Sequence, residues 1–296
     1  MSSAARSPFV ATQTLRLPDG RALSVRHWPA GCGEPLVLLH GMLDSSDGWN
    51  LVCRQLSGTC LGFDLPGFGY SDPPPRGSIT GYARDITDGL DMLGVDRMTL
   101  VGHSLGGAVA AAIADQMPER VRALVLLSPA GFGRIPLVEL ASLPVVRQLV
   151  GLALPYVLSN RAAVAAAYLT MVTNGSWPER ELLDRVTGGR RSMVDGVKQA
   201  TLSMTNASRR PHGLELRRAR YRGPVRVVWG DCDRLIPRAH SDGVLTAFPQ
   251  ARIDVWPGMG HHHARERIGD LIDLIEEAIA ETKGQGGEAR RLRDAA

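Results

Sequence analysis

Four short apolar runs restrict the fold more than anything else in the sequence: Pro35-Leu-Val-Leu-Leu-His40, Met98-Thr-Leu-Val-Gly102, Val121 to Ser128 and Val225 to Gly230. Each is nearly free of charge and ends in glycine or a polar residue, the pattern of strands buried on both faces, as parallel strands are. Between them lie stretches with helical spacing, Ile79 to Leu93 and Leu105 to Met117, the second carrying the small residues Gly106, Gly107, Ala108 and Ala110 for close packing. Strand and helix in alternation predict an α/β chain with a mostly parallel central sheet and helices on both of its faces. Thr12 to Trp28 adds two alternating runs around the turn Pro18-Asp19-Gly20, which predicts a hairpin at one sheet edge. Near the end, Ile268, Leu271, Ile272, Ile275 and Ile279 put one apolar stripe on a helix expected from Ala264 to Thr282.

The rhythm breaks between residues 131 and 222. Helical patterns such as Arg161 to Met171 and Pro178 to Val186 recur there without a convincing buried strand, so the stretch reads as a helical lid inserted into a core formed by 1–130 and 223–283. Residues 284–296 are expected to form a disordered tail. The arginine pairs Arg190-Arg191, Arg209-Arg210 and Arg217-Arg218 fit either carboxylate recognition or a solvated helical face.

Composition narrows the function classes. A chain of 296 residues that is 44% hydrophobic can bury a sizeable core. A net charge of +4 from 34 basic and 30 acidic residues argues against nucleic acid as a partner. No secretory leader is recognisable and no run approaches the roughly 20 apolar residues of a membrane span, so the expectation is a cytoplasmic protein without a membrane partner. Cys32, Cys53, Cys60 and Cys232 have neither the density of a disulfide framework nor the spacing of a zinc site, and read as reduced, mostly buried thiols.

Chemistry enters at Gly102-His103-Ser104-Leu105-Gly106. G-x-S-x-G between an expected strand and an expected helix makes a sharp turn that exposes the Ser104 hydroxyl beside a helix N-terminus, where backbone N–H groups favour negative charge. His40-Gly41-Met42 follows an earlier strand, and a glycine there lets the loop approach the serine. The backbone N–H groups of Met42 and Leu105 would then form an oxyanion hole, each donor worth about 3 kcal/mol in the transition state. His40 is expected to brace its loop. Asp64 and Ser71 are expected to shape a turn rich in glycine and proline.

A hydroxyl nucleophile needs a base, and the base needs a carboxylate to fix its tautomer. Asp231 and Asp233 follow the strand Val225 to Gly230, and His261, His262 and His263 are adjacent on the loop before the last helix. Three adjacent histidines cannot easily converge on one metal ion without partners elsewhere.

Through His40-Gly41, Asp64-Leu-Pro-Gly-Phe-Gly-Tyr-Ser71, Gly102-His-Ser-Leu-Gly-Gly107, Trp229-Gly-Asp-Cys-Asp233 and Gly260-His261, the chain resembles the α/β-hydrolase superfamily from about Thr12 to Thr282. The resemblance implies the α/β-hydrolase fold and a catalytic triad of Ser104, Asp233 and His261, with Asp231 serving the turn. It implies hydrolysis of a carboxylic ester or thioester in a small acyl substrate, through an acyl-enzyme and without a cofactor or metal. Relatives with epoxide hydrolase or dehalogenase activity use aspartate where this chain has Ser104. Carbon–carbon bond hydrolases share the serine triad but often carry tryptophan after the histidine, where this chain has His262. A ligand receptor that keeps the triad without turnover is the alternative outside catalysis.

Overall fold

The computed structural model describes residues 10–31, 33–173, 178, 180–187, 191–208 and 218–294. Among the described residues eight strands form one sheet: β1 (Ala11–Arg16), β2 (Ala22–Trp28), β3 (Leu36–Leu39), β4 (Cys60–Phe63), β5 (Met98–His103), β6 (Val121–Leu127), β7 (Val225–Gly230) and β8 (Arg252–Trp256). Their spatial order is β1-β2-β4-β3-β5-β6-β7-β8. Antiparallel pairing is confined to the β1–β2 hairpin and the β2–β4 contact, and all pairs from β4 to β8 are parallel.

Strand side chains divide between two cores with the period of two that a pleated strand imposes. Val37, Leu39, Leu100, Leu124 and Leu126 face one cluster. Leu36, Leu38, Val101, Val125 and Leu127 face the other. Helices α2 (Ile79–Met92) and α3 (Leu105–Gln116) cover the first face, placing Ile86, Leu90, Val109 and Ile113 against it. Helix α1 (Asn50–Cys53) and the last helix cover the second through Val52, Leu271, Ile275 and Ala278.

Between β6 and β7 the described residues form helices α4 (Pro136–Ser142), α5 (Pro144–Ser159), α6 (Arg161–Leu169), α7 (Arg180–Thr187) and α8 (Arg191–Ser208), with no strand among them. Arg190, Arg209, Arg210 and Arg217 of the arginine pairs lie outside the described residues. Helix α9 (His240–Ala247) joins β7 to β8.

Two expectations at the C-terminus need correction. The helix expected from Ala264 is broken: α10 (His263–Glu266) ends at Arg267, whose φ of −139° and ψ of 55° are not helical, and α11 restarts at Ile268. Helix α11 then runs to Asp294, so the tail expected to be disordered from 284 is helical up to that residue. Glu288, Ala289, Arg290, Arg291, Leu292 and Arg293 are good helix formers and carry the helix past the glycines that suggested an end. Cys53 and Cys60 are free and buried as expected, whereas Cys232 is exposed.

Candidate active site

Parallel register brings the ends of β3, β5, β6 and β7 to one edge of the sheet, with Leu39 opposite Gly102, Gly102 opposite Leu126, and Leu127 opposite Val228. The loops leaving this edge carry His40, Ser104, Asp233 and, after β8, His261. Ser104 is the residue between β5 and α3. Its φ of +54° and ψ of −115° lie where a side chain other than hydrogen is strained. That geometry is held by Ser104 N–H donating to Leu127 O at 2.9 Å and by Ser104 O accepting from Gly107, Ala108 and Ala130. The flanking glycines are required by close approach. A Cβ on Gly102 would sit 2.8 Å from Ala110 Cβ and nearer still to Gly106 O, and one on Gly106 would sit 2.6 Å from His40 O and nearer still to Leu39 O.

The Ser104 hydroxyl does not cap α3. Across from it, the Gly41 backbone lies so close that a Cβ there would be 3.2 Å from Ser104 Cβ. The backbone N–H groups of Met42 and Leu105 donate to no acceptor among the described residues, which leaves both available to a ligand.

His40 is fixed by two bonds: its Nδ1–H donates to Gly41 O at 2.6 Å and its Nε2 accepts from Leu65 N–H at 2.9 Å. Both ring nitrogens are thus engaged by the backbone, and the residue is a loop brace. Asp64 accepts from Ser46 N–H and Tyr70 N–H, while the Ser71 hydroxyl donates to Asp64 O and accepts from Ser24 N–H. Both shape their turn.

Asp233 and His261 meet directly, with Asp233 Oδ2 at 2.7 Å from His261 Nδ1. The side chains are almost fully buried. Asp233 Oδ1 accepts from Leu235 N–H at 2.9 Å and Ile236 N–H at 3.0 Å. Burial pushes the Asp233 pKa up, but the hydrogen bond and charge of His261 and the Ile236 amide outweigh it and bring the pKa to about 2. Asp231 does something else: its Oδ1 accepts from Gly258 N–H at 2.7 Å and ties the β7 turn to the next loop.

The neighbouring histidines point in different directions. His262 stacks on Tyr168 with ring centroids 4.9 Å apart, and His263 Nδ1–H donates to His261 O at 3.1 Å. Burial, and then the His261 ring, lower the pKa of each to about 3.

Sequence reasoning missed how the His261 loop is held. His103, within the G-x-S-x-G motif, donates from Nε2 to His261 O at 2.7 Å, and the two rings lie 4.7 Å apart. The structure therefore joins His261 to Asp233 directly and to Ser104 through its chain neighbour His103. The Ser104 hydroxyl itself forms no hydrogen bond among the described residues. On the other side, His261 N–H donates to Met171 O at 2.7 Å. The Glu266 carboxylate accepts from Gly260 N–H at 3.0 Å, His262 N–H at 3.1 Å and Thr173 N–H at 2.9 Å. The segment after α6 is thereby tied to the histidine loop.

A family described as the alpha/beta hydrolase fold matches residues 34–263. An uncharacterized protein of Mycobacterium tuberculosis is 32% identical over 276 residues, covering 86% of this chain and 77% of that protein. A 2-hydroxy-6-oxononadienedioate/2-hydroxy-6-oxononatrienedioate hydrolase of Paraburkholderia phymatum is 30% identical over 276 residues, covering 88% of this chain and 93% of that protein. Among solved structures, a thermophilic esterase from Thermogutta terrifontis superposes with a TM-score of 0.72 at 20% identity, over 92% of this chain and 99% of that one, a likeness of fold alone. The chain belongs to the alpha/beta hydrolase fold family, and is a hydrolytic enzyme of that fold.

Proposed function

We propose that the chain is a serine hydrolase that cleaves a carboxylic ester or thioester of a small acyl substrate. Ser104 attacks the carbonyl carbon, His261 Nε2 takes the hydroxyl proton, and the free N–H groups of Met42 and Leu105 receive the oxyanion. His261 then protonates the leaving alcohol or thiol, and water attacks the acyl-enzyme with His261 again as base. The observation that carries this reading is the 2.7 Å contact of His261 Nδ1 with an ionised Asp233, on the same sheet edge as the strained turn at Ser104. A carboxylate on Nδ1 keeps the proton there and leaves Nε2 as the base. The hydrogen bond from Ser104 to His261 closes when substrate fills the site, since such bonds are commonly loose in the empty enzyme. The helices between β6 and β7 act as the lid, with Tyr168 against His262 and Met171 against His261 bordering the site.

The relative from Paraburkholderia phymatum favours a second reading, carbon–carbon bond hydrolysis by the same serine. His262, stacked on Tyr168, stands where such relatives often carry tryptophan, which supports the ester reading first. The deciding experiment is turnover of p-nitrophenyl acetate and butyrate beside a 2-hydroxy-6-oxo-dienoate, with fluorophosphonate labelling of wild type and Ser104→Ala. Ester turnover and a label that Ser104→Ala loses are expected. Faster dienoate cleavage would select the second reading. No label and no turnover of either substrate would overturn both.

A further inference from the structure

The net charge of +4 is unevenly spread. Residues 131–222 hold fourteen Lys and Arg against six Asp and Glu, so this stretch carries +8 and the rest of the chain −4. Within it, α5 has one charged residue in sixteen, Arg147. Its inner side turns Val146, Leu154 and Leu158 towards the protein, each half-buried or buried. On its outer side Val145, Leu149, Leu152 and Tyr156, at i, i+4, i+7 and i+11, are 70, 61, 66 and 78% exposed.

A helix that is apolar on both sides belongs in a protein interior or against a second apolar phase. The exposure is local: of thirteen exposed large apolar residues in the described chain, eight fall between Leu140 and Val157. Scattered surface leucines need no explanation, whereas a contiguous patch marks a contact. Beside the patch, a cavity of about 230 Å³ opens among α4, α5 and α8. Val150, Leu154, Val197 and Leu202 line it together with Arg147 and Lys198, and no carboxylate is among the described residues that line it.

We propose that this face docks the protein on an anionic lipid bilayer. The outer stripe of α5 enters the boundary between headgroups and acyl chains, and Arg147 and Lys198, which line the adjoining cavity, meet the lipid phosphates. A second copy of the chain could cover an apolar stripe, but a symmetric contact would bring Arg147 and Lys198 of each copy towards those of the other, with no carboxylate among the described lining residues to pair them. Docking is at the surface. No single helix among the described residues is long and apolar enough to cross a membrane, and α5 and α6 bend by 103° at their junction. The sequence expectation of no membrane partner rested on the lengths of apolar runs, a criterion for spanning that does not test docking.

The test is co-sedimentation of the full chain with vesicles of phosphatidylcholine alone and of phosphatidylcholine and phosphatidylglycerol in equal parts, at low and high salt, with sedimentation velocity in parallel. Partition onto the anionic vesicles is expected to be at least ~10-fold stronger than onto neutral ones and to weaken with salt. Replacing the outer stripe together (Val145→Ser, Leu149→Ser, Leu152→Ser, Tyr156→Ser) should lower binding at least ~10-fold, while Arg147→Gln with Lys198→Gln should lower only the anionic preference, about fivefold per charge. All six positions lie outside the proposed triad, the readout is vesicle binding itself, and thermal unfolding checks that each variant is folded. Three results would overturn the proposal: no vesicle binding, anionic binding that survives the serine substitutions, or a dimer that they dissolve while vesicles stay unbound.

Discussion

Asp233→Asn exchanges one oxygen for an amide nitrogen, and the surrounding bonds decide which one. Oδ1 receives two backbone N–H groups, at 2.9 and 3.0 Å, and Oδ2 faces His261 Nδ1 at 2.7 Å. An NH₂ set against the two amides would leave both donors unpaired, at a cost of about 1–3 kcal/mol each. The asparagine oxygen therefore keeps the Oδ1 position and its NH₂ faces His261. A donor there draws the lone pair to Nδ1 and sends the ring proton to Nε2, the tautomer that cannot accept a proton from Ser104. Turnover of a p-nitrophenyl ester should fall by ~10⁴-fold, or about 5 kcal/mol of transition-state stabilisation. Stability changes less. The fall of the carboxyl pKa from its ordinary 3.8 to about 2 corresponds to about 2 kcal/mol at neutral pH. That contribution is complete above the unfolded value, is lost as pH falls from 3.8 through about 2, and is absent from the variant at every pH. Thermal unfolding at pH 7 checks that the variant is folded. A folded Asp233→Asn that keeps more than about a tenth of wild-type turnover would refute the tautomer argument. Asp231→Asn, which touches only turn geometry, should stay within about threefold of wild type.

Gly106→Ala should cost about 3 kcal/mol or more in chemical denaturation, because the carbonyls of Leu39 and His40 that its Cβ would meet are backbone and cannot swing aside. Glu266→Gln places an amide NH₂ among three N–H donors, and should lower kcat about tenfold with little change in KM, since the loosened element carries the proposed base. An unchanged kcat would confine Glu266 to the fold. Acid should destabilise the protein well before its carboxylates titrate. His262 and His263 have pKa values lowered to about 3 by burial, and the unfolded chain takes up those protons near 6.5. Stability is therefore complete above 6.5 and declines as pH falls towards about 3, so the thermal midpoint should drop between pH 7 and 5, less steeply in His263→Gln. A flat profile would contradict the burial argument.

The sheet was legible wherever a strand is long and buried on both faces, as at β5, β6 and β7. Strands β4 and β8 were not. Cys60–Phe63 is four residues with a glycine inside, and Arg252–Trp256 is a half-exposed edge strand whose Arg252 and Asp254 dilute the apolar signal. The hairpin at the opposite edge was legible because a turn sequence separates two alternating runs. Ser104 could be found because its chemistry needs glycines at fixed local offsets. Asp233 and His261 could be ranked over Asp231, His262 and His263 only by resemblance. Geometry explains the ranking: Asp231 is occupied by Gly258, His262 by Tyr168 and His263 by the carbonyl of His261. The partners of His103 and Glu266 escaped because a single sequence holds no trace of a hydrogen bond across 158 or 93 residues.

Those two unread residues show how a histidine on a loop is held. The carbonyl of His261 is bonded to His103 from the core, its N–H to Met171 from the helices between β6 and β7, and its ring to Asp233 beyond β7. Each hold comes from a different segment, so no single element sets the ring's position. Two of these holds come from the sheet edge, because His103 ends β5 and Asp233 follows β7. The third is not part of the sheet at all. Met171 and Thr173 follow α6 and reach the loop through His261 N–H and Glu266, and α5 leads directly into α6. The helix proposed to meet lipid and the segment that bonds to the loop of the proposed base are therefore separated in the chain by α6 alone.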